Sequence, residues 1–186
     1  MIIGIIIAIL VILVIAVIGM YNSLVQARIK VDNAWSQIDV QLQRRFDLIP
    51  NFVETVKGYM QHESETFEKI AQLRTSWANT KSVAEKAELD NELSTALKTI
   101  MAVSENYPDL KANQSFNSMQ AELSETEDKI AYSRQFYNDT VTMYNTKLET
   151  FPSNLVASMF GFKASTLFNV DNDEAKKAVK VDFGNN

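Results

Sequence analysis

Nineteen consecutive residues, Ile2 to Met20 (IIGIIIAILVILVIAVIGM), carry neither a charge nor a polar side chain. At about 1.5 Å of rise per residue, a helix of that length spans close to the roughly 30 Å hydrocarbon core of a bilayer. No other stretch limits the fold so strongly, because a helix that is apolar all round needs an apolar surrounding on every side. The sequence therefore predicts a transmembrane anchor over residues 1–20, with Ile2, Ile5, Ile9, Leu13 and Val17 toward lipid. Tyr21 stands where interfacial aromatic rings collect.

A cleaved signal peptide would begin with a basic region and end at a small-x-small site. Here the chain starts Met1-Ile2-Ile3-Gly4 and leaves the apolar stretch through Gly19-Met20-Tyr21-Asn22, so an uncleaved anchor is expected. Arg28 and Lys30 follow the span closely, and the excess of Lys and Arg on cytoplasmic flanks favours the short N-terminus outside and the following domain in the cytoplasm. The absence of cysteine fits either compartment.

Beyond the anchor the chain is polar, periodic and acidic, with a net charge of −5 that argues against a nucleic-acid partner. Five Gly and three Pro are too few for a turn-rich fold, and the abundance of Ala, Leu, Glu, Lys and Gln points to an all-α domain over residues 21–168. Proline belongs at helix starts or just past helix ends, so Pro50, Pro108 and Pro152 read as joints. Before the first joint, Leu24, Val31, Trp35, Ile38, Leu42 and Phe46 mark a helix continuous with the anchor. Asp47-Leu48-Ile49-Pro50 reads as a turn, with Asp47 capping a second helix through Phe52, Val53, Val56, Met60, Phe67, Ile70, Leu73 and Trp77.

Ser82 followed by Glu85 is a capping box that opens a third helix through Leu89, Leu93, Leu97, Ile100 and Val103 to Tyr107, where Pro108 ends it. A fourth, from about Asn113 to Phe151, carries a heptad-like stripe of Phe116, Met119, Leu123, Ile130, Tyr137, Val141, Tyr144, Leu148 and Phe151. The expected architecture is an N-terminal transmembrane helix continuing into an elongated, coiled-coil-like four-helix up-and-down bundle. Gly161 closes a short helical segment from Ser153 to Phe160, and residues 169–186 form a tail of weak periodicity expected to be mobile.

Two positions on the fourth stripe are not apolar: Glu127, with Thr126 beside it, and Arg134. Either they lie at the edge of the seam and reach water, or they form an inter-helix ion pair that fixes register, with Asp39 or Asp47 as the partner of Arg134. The Arg44-Arg45 pair has three readings: exposed pairing with acids of the adjacent turn such as Asp47, a subunit contact, or binding of anionic lipid. The Tyr-Asn pairs at 137 and 144 lie seven residues apart on one face, as core-edge packing with hydrogen-bonded phenols. A fourth helix of nearly 60 Å would overhang a first helix ending at Phe46, and the overhang is expected to pack on a neighbouring subunit or on the membrane-proximal part of the first helix.

Several stretches together resemble the LemA family: Tyr21-Asn22-Ser23-Leu24-Val25, Ala34 to Leu42, Arg44-Arg45-Phe46-Asp47-Leu48-Ile49-Pro50-Asn51, Glu54 to Tyr59 and His62-Glu63. Further on, Glu105-Asn106-Tyr107-Pro108, Leu110-Lys111-Ala112, Thr126-Glu127, Arg134 with Tyr137-Asn138, and Tyr144-Asn145 before Phe151-Pro152 are similar too. The resemblance implies a bacterial single-pass membrane protein with a four-helix up-and-down bundle, its N-terminus outside, and no established biochemical activity. The chain departs from it in Ala178 to Phe183, where relatives often carry a proline before a short Val-x-Phe ending.

The reagents of common catalysis are missing. One histidine, no cysteine, no Gly-rich phosphate loop and no Gly-x-Ser-x-Gly elbow occur, and Thr66 stands where a zincin helix would place its second histidine after His62. A Glu-x-x-His di-iron unit fails too, since Tyr59 precedes His62 by three. No catalytic, cofactor or metal site is therefore expected. The reading is a non-enzymatic protein of the bacterial inner membrane that self-assembles in the lipid bilayer as a scaffold or organiser. An accessory or sensor subunit of another membrane protein, such as a protease, stands second, and an unrecognised hydrolase third.

Overall fold

A computed structural model describes residues 1–60 and 62–168; its regular elements are all helices, with no β-sheet among the described residues. Six helices follow in order: α1 (Ile2–Lys57), α2 (Ser64–Asn79), α3 (Val83–Ser104), α4 (Pro108–Lys111), α5 (Gln114–Glu149) and α6 (Ser153–Met159). The expected tail, residues 169–186, lies outside the described residues.

The first helix corrects the sequence reading. No turn forms at Asp47 to Pro50: α1 runs 56 residues without a break, with Pro50 inside it. Pro50 supplies no N–H for the Phe46 carbonyl, which costs a helix interior on the order of 3 kcal/mol. What holds the helix straight on is its buried stripe. Ile38, Leu42, Arg45, Phe46, Ile49, Phe52 and Val56 keep helical spacing through the proline and all face the core. A turn at Asp47 would have turned Phe52 and Val56 away from that core. The helix ends only at Lys57, with Gly58 as its cap, and α2 starts at Ser64.

This continuity removes the predicted overhang. Outside the apolar stretch α1 covers Asn22 to Lys57, 36 residues, and α5 also has 36. Both are about 54 Å long at the standard rise. They run antiparallel, with Ser23 beside Lys147, Arg45 beside Glu127 and Thr55 beside Met119. The lengths therefore no longer argue for a neighbouring subunit.

The α2–α3 hairpin closes over this pair. Its short connection is capped by half of the expected box: the Ser82 hydroxyl accepts from the Glu85 N–H at 3.5 Å, but the Glu85 carboxylate bonds the Thr80 hydroxyl instead of the Ser82 N–H. Pro108 does not merely end α3 but opens the short α4 as its first residue. Asn113 then caps α5, accepting from the N–H groups of Ser115 and Phe116.

One apolar core draws on α1, α2, α3, α4 and α5, with Ile38, Leu42, Phe52, Leu93, Leu110 and Ile130 fully removed from water. Phe46 stacks on Trp77, centroids 4.3 Å apart. On the α5 stripe, Phe116, Leu123, Ile130, Tyr137, Val141 and Tyr144 are buried, whereas Phe151 is exposed because α5 ends at Glu149. A second, smaller cluster lies where the apolar stretch ends: Val156 and Ala157 of α6 pack on Leu24, with Val17 and Met20 against them. Gly161 (φ +70) ends α6 in a left-handed conformation that a β-carbon disfavours. The Phe162 N–H returns to the Ala157 carbonyl and the Gly161 N–H to Ser158, the Schellman arrangement. The chain then runs without helix from Phe162 to Phe168.

Ile2 to Met20 is long and apolar enough to cross a membrane, and among the described residues no other element covers it beyond the partial cover of Val17 and Met20.

Candidate functional site: a buried charge network and a clamped strand

Four charged side chains meet where the core reaches the edge of the α1–α5 seam, two of them buried. Arg45 comes from the buried face of α1, Asp90 from α3, and Glu127 and Arg134 from successive heptads of α5. The Arg45 Nη1 donates to Asp90 Oδ1 at 2.8 Å and lies 2.7 Å from Glu127 Oε2. Arg134 Nη2 donates to the other Asp90 oxygen at 2.7 Å. The Asp90 side chain is fully buried and that of Arg45 is 4% exposed, whereas Arg134 and Glu127 reach the edge of the seam at 21% and 42%. Burial pushes the Asp90 carboxyl above its ordinary value; Arg45 and Arg134 pull it back, and Glu127 adds to the rise. The two guanidinium Nε groups have no partner.

Of the sequence-predicted residues, the structure brings Arg45, Glu127 and Arg134 together and leaves the others apart. Arg134 pairs with Asp90, not with Asp39 or Asp47, because those carboxylates stand on other faces of α1. Asp39 pairs with Lys86, whose ammonium sits 4.7 Å from the Trp77 ring centre and 5.7 Å from that of Trp35. Asp47 is exposed and accepts from Gln43, one turn back. Arg44 points to solvent, and its positive charge helps hold Glu125 below its ordinary value, behind the larger effect of the Lys129 hydrogen bond. Arg45 is not the exposed partner of the adjacent turn that sequence suggested; its position between Leu42 and Phe46 on the core stripe buries it.

Asp90 was missed. The signal was its place one turn past Ala87 and one before Leu93, on the apolar side of α3, where an acid demands a cation.

What the network does follows from its spacing. Sliding α5 by one heptad in one direction would bring Arg134 beside Arg45; sliding it in the other would bring Glu127 beside Asp90. Both slips juxtapose like charges out of water, whereas an all-apolar heptad stripe would accept either one.

The second feature is a single non-helical strand of chain, Phe162 to Phe168, that belongs to no sheet and is held along α5 by side chains. Asn145 grips Ser165 through both main-chain groups, Oδ1 accepting its N–H and Nδ2 donating to its carbonyl, each at 2.9 Å. Asn138 does the same to Phe168 at 2.8 and 3.2 Å. Between and beside them the Tyr137 hydroxyl donates to the Thr166 carbonyl and the Tyr144 hydroxyl to that of Lys163. Burial raises both phenols above their ordinary value. Core packing with hydrogen-bonded phenols was legible; the amides' purpose was not. Their signal was a poor helix former repeated at seven inside a long helix. Phe168 inserts its ring beneath this strand, 6.2 Å from Trp35 and under the Arg134 guanidinium at 4.9 Å, which ties the strand to the charge network.

Neither feature presents an activated nucleophile. Among the described residues, no group of three or more His, Cys, Asp and Glu is placed to hold a metal ion, and His62 is exposed in the bend before α2.

Residues 34–183 match the LemA family model. The chain is 30% identical over 166 residues to Protein LemA of Metamycoplasma hominis, covering 86% of this chain and 76% of that one. A shorter likeness links it to magnetosome proteins: MamQ 2 of Paramagnetospirillum magneticum (35% over 79 residues) and MamQ of Magnetospirillum gryphiswaldense (30% over 79). These matches cover 42% of this chain and 29% of either magnetosome protein.

Proposed function

The chain belongs to the LemA family, and from that premise we propose a bacterial inner-membrane scaffold that works by self-assembly. In this reading residues 1–20 anchor an elongated, coiled-coil-like four-helix up-and-down bundle, residues 21–168, on the cytoplasmic face, with the short N-terminus outside. The charge network and the clamped strand serve to keep the surface of that bundle constant.

The observation that carries the reading is on the outer side of α5. Tyr132, Phe136 and Met143 are 74%, 45% and 61% exposed, and their spacing of four and seven places them along one line of the helix. Large, mainly apolar side chains in a row on a solvent face are costly unless another helix covers them. A second copy, held in the same plane by its own anchor, meets that line at high local concentration.

The test is the mass of the full-length protein in nanodiscs or mild detergent, beside a Phe136→Asp, Met143→Asp variant. A defined assembly that falls to monomer in the variant is expected. A wild-type monomer overturns self-assembly, and a stoichiometric second protein co-purifying from native membranes would assign the line to a heterologous membrane partner.

A further inference from the structure

The turn and helix that follow α5 carry no charge for twelve residues: Phe151 to Phe162 reads FPSNLVASMFGF, between Glu149 and Lys163. Its inward side is accounted for, since Val156 and Ala157 pack on Leu24, Val17 and Met20. Its outward side is not. Phe151, Leu155 and Met159, at spacing four, are 76%, 60% and 75% exposed, and Phe160 beside them is 53% exposed. A seven-residue helix that spends its polar positions on serine and asparagine, turns Leu155 and Met159 outward and is flanked by the exposed rings of Phe151 and Phe160 is poorly suited to water.

Its place in the fold supplies the missing cover. On α1 it packs at Val17 and Met20, in the last turn of the apolar stretch, and at Leu24 one turn beyond, so the exposed face of α6 adjoins the exit of the anchor. Tyr21 completes the join, with its ring 4.9 Å from Phe160 and 5.7 Å from Phe162. Basic groups flank the site: Arg28 lies 5.5 Å from the Phe162 ring centre, and Lys147 bonds Ser23 at 2.9 Å. Aromatic rings at the level where a span leaves lipid, with arginine and lysine just beyond, are the pattern of a membrane interface.

We propose that α6 lies in the membrane–water interface, with Phe151, Leu155, Met159 and Phe160 seated among lipid acyl chains, as a second lipid contact. This rests on the reading of Ile2 to Met20 as a membrane anchor and not on self-assembly. The consequence is orientational. A single spanning helix leaves a domain free to tilt, whereas a short apolar helix docked at its exit fixes which side of the α1–α5 pair faces the bilayer.

The chain has no cysteine, so single-cysteine variants take one nitroxide each. Full-length Leu155→Cys and Met159→Cys, reconstituted in phosphatidylethanolamine–phosphatidylglycerol vesicles, are compared with Ile9→Cys in the anchor and Ser118→Cys at the far end of α5. The measured quantity is accessibility to oxygen relative to a water-soluble nickel chelate. The ratio at 155 and 159 is expected to exceed that at 118 several-fold and to lie below that at 9. A lipid-like value at 9 with water-like values at 155 and 159 overturns the proposal and leaves the anchor standing. A water-like value at 9 overturns both. Spin–spin broadening at 155 that vanishes on dilution with unlabelled protein would assign the face to a second copy and equally overturn lipid contact.

Discussion

Arg45 and Asp90, 45 positions apart in sequence, meet at 2.8 Å with both side chains out of water. Removing one member of such a pair strands the other, at a typical cost of about 3–5 kcal/mol. Asp90 is shared by two guanidinium groups, so Asp90→Ala is expected at the upper part of that range. Arg134→Met, at the wetter edge, should lose on the order of 1.5–3 kcal/mol, the span for hydrogen bonds to charged groups. Thermal unfolding of the full-length protein in mild detergent measures both. A loss at Arg134→Met equal to or greater than that at Asp90→Ala would contradict Asp90 as the hub.

The same carboxylate sets a pH dependence. Burial raises Asp90 above its ordinary value of 3.8, so between 3.8 and its folded value the native state holds a proton that the unfolded chain has released. This component of stability is full below 3.8 and declines as pH rises through the folded value. In Asp90→Asn it is absent. The difference in unfolding free energy, wild type minus Asp90→Asn, should therefore fall as pH rises across that window. A difference that climbs with pH would mean that the two arginines outweigh burial.

The helical class and most of the core could be read from spacing alone, because those depend on which residue types recur at three and four, and the apolar run of Ile2 to Met20 from composition. Leu42, Ile70, Leu93 and Ile130 are buried where periodicity placed them. Pro50 misled for a physical reason: local chemistry argues for a joint, but the buried stripe from Ile38 to Val56 outweighs it. The network was half legible. Glu127 and Arg134 stood out as charges on an apolar stripe, but choosing Asp90 over Asp39 requires knowing that α3 closes on the α1–α5 seam. The grip of Asn138 and Asn145 on a strand some twenty to thirty residues away has no local signature beyond its spacing.

That grip is separable from the core. Each asparagine contributes two hydrogen bonds to main chain, and a typical net value of about 0.5–1.5 kcal/mol per bond gives a modest loss for Asn138→Ala or Asn145→Ala. The effect should be local. Amide exchange at Ser165 is expected to quicken in Asn145→Ala and that at Phe168 in Asn138→Ala, with α2 and α3 amides unchanged. Uniform acceleration across the chain would mean that the strand is integral to global folding.

The phenols beneath that strand give an alkaline counterpart. Burial raises Tyr137 and Tyr144 above 10.0, helped in both by the charge of Asp32 and opposed in Tyr144 by Arg28. The folded protein keeps these protons where the unfolded chain has lost them, so their contribution falls as pH rises from 10 upward. Spectrophotometric titration should show a late phase of phenols ionising above 10.0, made up of Tyr137, Tyr144 and Tyr107, which burial and its hydrogen bond to Glu63 also raise. A smaller late phase in Tyr137→Phe and in Tyr144→Phe assigns their share of it.

Pro50 offers the converse experiment, in which a native residue opposes the structure it sits in. Its ring excludes the hydrogen bond that the Phe46 carbonyl would accept, and α1 continues only because Phe46, Ile49, Phe52 and Val56 pack on one side. Pro50→Ala restores the donor without touching that stripe, since Pro50 is only half-buried. The helical term of on the order of 3 kcal/mol is offset in part by the greater freedom of alanine in the unfolded chain, about 0.4–1 kcal/mol. A net stabilisation of roughly 2–2.6 kcal/mol is therefore expected in thermal unfolding. A destabilised Pro50→Ala would mean instead that the missing bond creates a bend on which the seating of α2 against α1 depends.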